Sequence, residues 1–129
     1  MLVKKVEQVA AQPMAIEGAH KVSMRLMIGR DDGAPHFAMR HFEVAPGGHT
    51  PRHRHNYEHE VLVLEGRGEV AGGADGNDIH PIGAGDVVFL PAQELHQFRN
   101  TGTGVLQFLC LVPTTFDCAA DGEQPTPGS

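Results

Sequence analysis

Short apolar runs alternate with turn signals along most of this chain. The runs cover residues 21–29, 36–44, 60–66, 67–72, 86–92, 96–100 and 105–113, and each is rich in Val, Leu, Phe, Ile or Met. They are bounded by "APGGH", "GGADGND", "IGAGD" and "NTGTG". Runs of this length between Gly, Pro, Asn and Asp clusters read as β-strands. No stretch keeps a helical period over three turns. The first dozen residues fit a strand or a short helix equally well. Regular short strands at this spacing predict an all-β sandwich or barrel. The expected organisation is an N-terminal strand or arm over 1–28, a barrel over 29–116, and a polar, Pro/Gly-rich disordered tail over 117–129.

Composition narrows the function classes. The chain has 129 residues, enough for one domain with a real core. Its net charge is −6 and its Lys and Arg form no stripe, so nucleic acid is not an expected partner. No apolar stretch approaches the roughly 18 to 20 residues that cross a bilayer. Lys4 and Lys5 are followed by Glu7, Gln8 and Gln12 rather than by a greasy signal segment, so the cytoplasm is the expected compartment. The two cysteines, Cys110 and Cys118, are too few for a disulfide framework and are expected to be reduced.

The densest chemistry lies in "HTPRHRHNYEHEVLVLEG", His49 to Gly66. Strand side chains alternate faces. If this stretch is extended, His53, His55 and His59 share a face with Val61 and Val63, while Glu60, Leu62 and Leu64 face away. Imidazole is the commonest protein ligand for first-row transition metals.

Two segments together resemble the paired motifs of the cupin superfamily. The first, G-x5-H-x-H-x3-4-E-x6-G, is matched by Gly47, His53 and His55. The second, G-x5-P-x-G-x2-H-x3-N, is matched by Gly85, Pro91, His96 and Asn100, with Gln93 in the glycine place. The resemblance spans residues 47 to 100. It implies an all-β, double-stranded β-helix (jelly-roll) barrel in a single cupin domain. It also implies a divalent metal on His53, His55, His96 and the acidic position of the first motif. At that position this chain departs from the pattern. Glu60 lies an allowed distance past His55, but only five residues separate it from Gly66, whereas six separate His59 from Gly66. Spacing and parity both favour His59, with a strand bulge at Glu60 as the competing arrangement. The stretches Met39 to Phe42, His59 to Gly66 and Phe108 to Pro113 are similar to small single-domain cupins that bind metal through four histidines. In that subgroup manganese is typical, and Fe, Ni, Co, Cu or Zn are the other candidates.

Four neutral imidazoles would leave a divalent ion its full charge. That favours an anionic or chelating small-molecule ligand at an open position. Open positions beside a redox-capable ion also permit oxygen chemistry. The leading expectation is therefore a dioxygenase-type oxidoreductase. The alternatives are a non-redox lyase or isomerase, and a small-molecule or metal-binding module without turnover. Arg40 is the candidate catalytic residue and anchor for a substrate charge, with a surface or salt-bridged Arg equally compatible. Phe108 and Cys110 share parity and are candidates for the pocket wall, though a cysteine is often simply buried. Tyr57 is a candidate for the rim or for a surface turn. His20, His36, His41, His49 and His80 have no spacing that singles them out. Edge strands of such barrels invite pairing, so a homodimer formed through residues 1–28 is expected.

Overall fold

The structure is a computed structural model that describes residues 1–115; the expected tail and Cys118 lie outside the described residues. Among the described residues, two short 3-10 turns, Val6–Gln8 and Arg30–Asp32, and nine strands make up the regular structure. The strands are β1 (Gln12–Pro13), β2 (His20–Ile28), β3 (Phe37–His49), β4 (His59–Glu65), β5 (Arg67–Gly72), β6 (Asp78–Gly83), β7 (Val87–Leu90), β8 (Gln97–Asn100) and β9 (Leu106–Pro113). The sheet runs β6-β5-β8-β3-β9-β4-β7, with β2 also paired to β3 and β1 to β2. Every pairing is antiparallel. This curled antiparallel sheet is the all-β jelly-roll architecture that the strand pattern and motifs predict.

The longest strand, β3, organises the curl. Its first part pairs with β9 from Phe37 to Val44, and its last residue, His49, pairs with Arg99 of β8. The bend between these partners falls at Gly47, whose φ of 81° is open to glycine and strained for other residues. At the end of β4, Gly66 also has a positive φ, and a Cβ there would collide with the Val105 carbonyl. Both glycines of the first motif are thus corner residues.

Register places the inward residues in rows. Arg40, Cys110 and Val61 face one another across β3, β9 and β4. The next row is Phe42, Phe108 and Val63, and beyond it Val44 pairs with Leu106. Phe108 stacks on Phe42 at 5.1 Å and on Phe98 at 4.7 Å between ring centroids. Buried aromatic pairs in this geometry stabilise by about 0.5–1.5 kcal/mol beyond the area they remove from water. This apolar floor fixes the inward faces of β3, β4 and β9, and the Arg40–Cys110–Val61 row lies on top of it. Asn100 of the second motif is structural: its amide donates to the carbonyls of Val44 (2.7 Å) and Gly104 (2.8 Å).

Three elements differ from their sequence reading. The stretch 53–59, taken as extended in the parity argument, is strand only from His59; before it, His53 forms an isolated bridge. Pro51 and the bend at Asn56–Tyr57 keep the segment out of a continuous ladder. The strand β6 carries no apolar run in the sequence, because only Ile82 of its six residues is buried and Pro81 interrupts it. Among the described residues it is an edge strand that pairs only with β5. The ambiguous first dozen residues form a 3-10 turn and a two-residue strand. They lie on the chain's own sheet, where Arg25 Nε donates to the Val9 carbonyl (2.8 Å) and Arg25 pairs with Glu43 (2.8 Å).

Candidate metal centre

Four of the nine histidines converge above the Arg40–Cys110–Val61 row. His53 and His96 are joined through their backbones: each N–H donates to the other's carbonyl, at 3.1 and 2.9 Å. His55 follows on the loop, where its carbonyl accepts the Gln93 N–H at 2.6 Å. His59 opens β4 opposite Leu90. Although residues 53–58 are not a strand, their burial alternates as expected. His53, His55 and Tyr57 are half-buried and His59 is buried, while Arg54, Asn56, Glu58 and Glu60 are exposed.

The ring nitrogens meet closely. His53 Nε2 and His55 Nε2 are 3.1 Å apart. Ligand nitrogens of His53, His55 and His96 all lie within 4.8 Å of one another. The His59 ring centroid is 4.9 Å from those of both His55 and His96. Two nitrogens bound at a right angle, about 2.1 Å from one ion, stand about 3 Å apart, so the His53–His55 spacing suits a shared cation. The donor set fits in a second respect. His59 Nε2 is buried and has no hydrogen-bond partner, an arrangement that costs free energy unless something binds there.

Electrostatics keeps these rings neutral, the form that ligates metals. Burial is the main cause at each, Arg40 lowers each further, and a charge on one ring disfavours a charge on the next. His53 is pushed down to about 3 by burial, then by His96 and Arg40. His55 falls to about 2, by burial and then by His53, His96 and Arg40. His59 lies well below the usual imidazole value, through burial and then Arg40. His96 is lowered by burial, opposed by its bond to the Glu94 carbonyl. That bond is 3.0 Å from Nδ1. A carbonyl only accepts, so His96 carries its proton on Nδ1 and presents a lone pair on Nε2.

Among the other sequence-predicted residues, Arg40 is buried at the edge of the cluster. Its Nη2 donates to Cys110 Sγ at 3.3 Å, and its guanidinium lies 5.0 Å over the Phe42 ring. Cys110 Sγ is also 3.1 Å from His59 Nδ1. Burial pushes the Cys110 thiol above its ordinary value, with Arg40 opposing. Tyr57 stacks on His55 at 4.7 Å and lies 5.4 Å from His59. Phe108 sits one row deeper, within the aromatic stack. His41 is buried away from the cluster, 3.4 Å from Arg25, and His49 packs beside His20. Residues not singled out as site residues are Glu94, whose carbonyl orients His96, Phe42 beneath Arg40, and Gln93. Gln93 did carry a signal, since it occupies a motif glycine position; its φ is 71°. The Glu94 carbonyl carried none, because backbone acceptors are not written in side-chain identity.

The model of the family described as a cupin domain matches residues 40–112, which include all four histidines. The chain belongs to the cupin family. It is 40% identical over 74 residues to 1-methylthio-D-xylulose 5-phosphate methylsulfurylase of Rhodospirillum rubrum, covering 57% of this chain and 46% of that protein. The match thus spans less than half the length of that relative. The oxalate-binding protein of Thermotoga maritima is 35% identical over 98 residues, covering 75% of this chain and 74% of that protein. Among solved structures, the polyketide cyclase RemF from Streptomyces resistomycificus superposes with a TM-score of 0.79 at 34% identity, over 88% of this chain and 80% of that one. The likeness to all three agrees with the cupin fold of this chain.

Proposed function

We propose that this cupin holds one first-row divalent ion on His53, His55, His59 and His96 and takes a small anionic, chelating molecule onto it. The observation that carries the reading is the orphaned, buried Nε2 of His59 beside three converging imidazoles. Manganese is the leading candidate, with Fe, Ni, Co, Cu or Zn as the others. When bound, the ion supplies Lewis acidity and, if redox-capable, access to oxygen chemistry. The chain's own residues do the rest. The imidazoles bring no negative charge, and Glu60 faces solvent. Arg40 adds a permanent cation at the pocket floor, so a carboxylate, enolate or dianion is favoured there. Tyr57 covers the rings from the side of the loop. Cys110 and the Phe108 layer below it exclude water from the pocket floor.

The reaction we propose is a dioxygenase-type oxidation of that ligand. Oxygen uptake by the manganese- or iron-loaded protein with a panel of carboxylates and diketones tests it, with products read by mass spectrometry. Uptake with a ligand that is consumed is the expected result; ligand turnover without oxygen would replace it with a lyase or isomerase reading. That second reading is favoured by the likeness to a polyketide cyclase. Stabilisation by ligands with no product would leave a binding module, as the likeness to an oxalate-binding protein suggests.

The cytoplasm is the proposed compartment, in keeping with the buried free thiol of Cys110. Among the described residues no helix is long and apolar enough to cross a membrane. The proposed assembly is a homodimer. The outward side chains of β4 and β7 leave Leu62, Leu64, Val87 and Phe89 exposed, with Leu111 of β9 beside them. Among the described residues β7 pairs with β4 alone and ends the sheet. Exposed apolar side chains along a sheet edge are the kind of surface a second chain covers.

A further inference from the structure

We propose that Cys110 is a positioning residue for the metal centre: its sulfur accepts the Nδ1–H of His59, Arg40 holds the sulfur, and the His59 lone pair is thereby kept on Nε2. This rests on the four-histidine reading above and adds to it the device that orients one ligand.

Three observations converge on it. Cys110 Sγ lies 3.1 Å from His59 Nδ1 and 3.3 Å from Arg40 Nη2, and all three side chains are buried. A guanidinium can only donate, so the sulfur is an acceptor toward Arg40, and the Arg40 contact fixes where it sits. The far nitrogen of His59 is buried with no partner. A proton on that nitrogen would be a buried donor with nowhere to go, whereas a lone pair there is what an ion requires. The third observation is the contrast with His96. Its Nδ1 donates to the Glu94 carbonyl, the usual backbone partner of a ligating imidazole. At His59 the partner of Nδ1 is a side chain instead, Cys110 Sγ. The side chain that takes that place comes from β9, where Cys110 faces Val61, two residues along β4 from His59. Diagonal neighbours on one sheet face are within reach of each other.

The choice of sulfur has a chemical consequence. A carboxylate in this position would place a negative charge next to the ligand and reduce the effective charge of the centre. A buried neutral thiol orients the ring without doing so. The charge of the ion and of Arg40 is then left for the incoming anion.

The test begins on metal-free protein. Long-range 1H–15N correlation spectra of the imidazoles should show His59 protonated on Nδ1 in wild type and in Cys110→Ser, and a mixed tautomer in Cys110→Ala. Chelator competition with Mn2+ and Co2+ should then show affinity about tenfold to hundredfold weaker in Cys110→Ala. Cys110→Ser should stay close to wild type, and thermal melts confirm that both variants fold. A wild-type His59 protonated on Nε2 would overturn the proposal, and that measurement needs neither a variant nor an ion. Unchanged tautomer and affinity in Cys110→Ala, with affinity lost in His59→Ala, would overturn this inference alone. Undiminished affinity in His59→Ala would remove His59 from the ligand set and overturn both readings together.

Discussion

His53 and His96 exchange both backbone hydrogen bonds, at 3.1 and 2.9 Å, so the two motifs are tied together at the residues whose rings converge. The ring centroids are 5.0 Å apart as a result. Each histidine reaches the cluster through backbone geometry that its neighbours enforce. Side-chain substitutions at the rings should therefore disturb the metal before they disturb the fold.

Ligand identity gives the first prediction. Elemental analysis of protein purified without a metal-affinity tag should find metal in wild type and in Glu60→Ala. It should find little in His59→Ala. Glu60 points outward beside Phe89 and Leu111, and its removal leaves the cluster untouched. Metal lost from Glu60→Ala and kept in His59→Ala would reverse the ligand choice.

Backbone strain at Gln93 gives the second. Its φ of 71° is one that L residues other than Asn and Asp rarely adopt. Its N–H nonetheless holds the His55 carbonyl at 2.6 Å. The left-handed conformation costs a non-glycine residue about 1–2 kcal/mol, while glycine gives back about 0.5–1 kcal/mol through the entropy of its unfolded chain. Gln93→Gly should thus raise stability by up to about 1 kcal/mol. Gln93→Val, branched at Cβ, should lower it. Urea midpoints in the order Gly, Gln, Val check this; a Val variant as stable as wild type would contradict the strain.

The pH dependence of the metal-free protein follows from the depressed imidazoles. In the unfolded chain a histidine titrates near 6.5; in the fold His53 titrates at about 3 and His55 at about 2. Between these values the unfolded state binds more protons, so stability is full above about pH 6.5 and falls as pH drops toward 3. His59 and His96 are shifted in the same direction and steepen the loss. Urea unfolding of chelator-treated protein at pH 7.5 and 5 should show the decline. In His53→Ala and His55→Ala the slope should be shallower, since each removes one proton from the difference.

The parts of this molecule that side-chain pattern encodes were legible in the sequence. Seven strands announce themselves by apolar runs. The inward set of β4 follows from parity, and the motif spacing picks out histidines that do converge. What was not legible depends on backbone partners. The strand β6 is held by β5 through main-chain bonds and buries one residue, so it carries no apolar pattern. The segment from His53 to Glu58 alternates in burial without being a strand, since the Gln93 N–H and the His96 bridge hold it in place of a ladder. The sequence allows Arg40 as an anchor or as a surface residue, and the fold buries it against Cys110 and Phe42. Only the cross-strand register of β3 and β9 reveals that.

The exposed face of β4 and β7 gives the last prediction. Val87 and Phe89 are 76% and 57% exposed, and Leu62 and Leu64 lie beside them on the neighbouring strand. Leaving such side chains in water forgoes roughly 25 cal/mol for each Å2 that a partner would cover. A second copy using the same face would bury it symmetrically, as closed homodimers do. Sedimentation at micromolar concentration should give twice the chain mass of 13.9 kDa for wild type. It should give the single mass for the double variant Leu62→Lys, Phe89→Lys, which places cations at the centre of the patch. These substitutions face away from the histidines, so the metal content of the double variant should match wild type. A wild-type protein that sediments as one chain would remove the dimer, and a double variant that still sediments as two would move the interface elsewhere, toward the N-terminal segment.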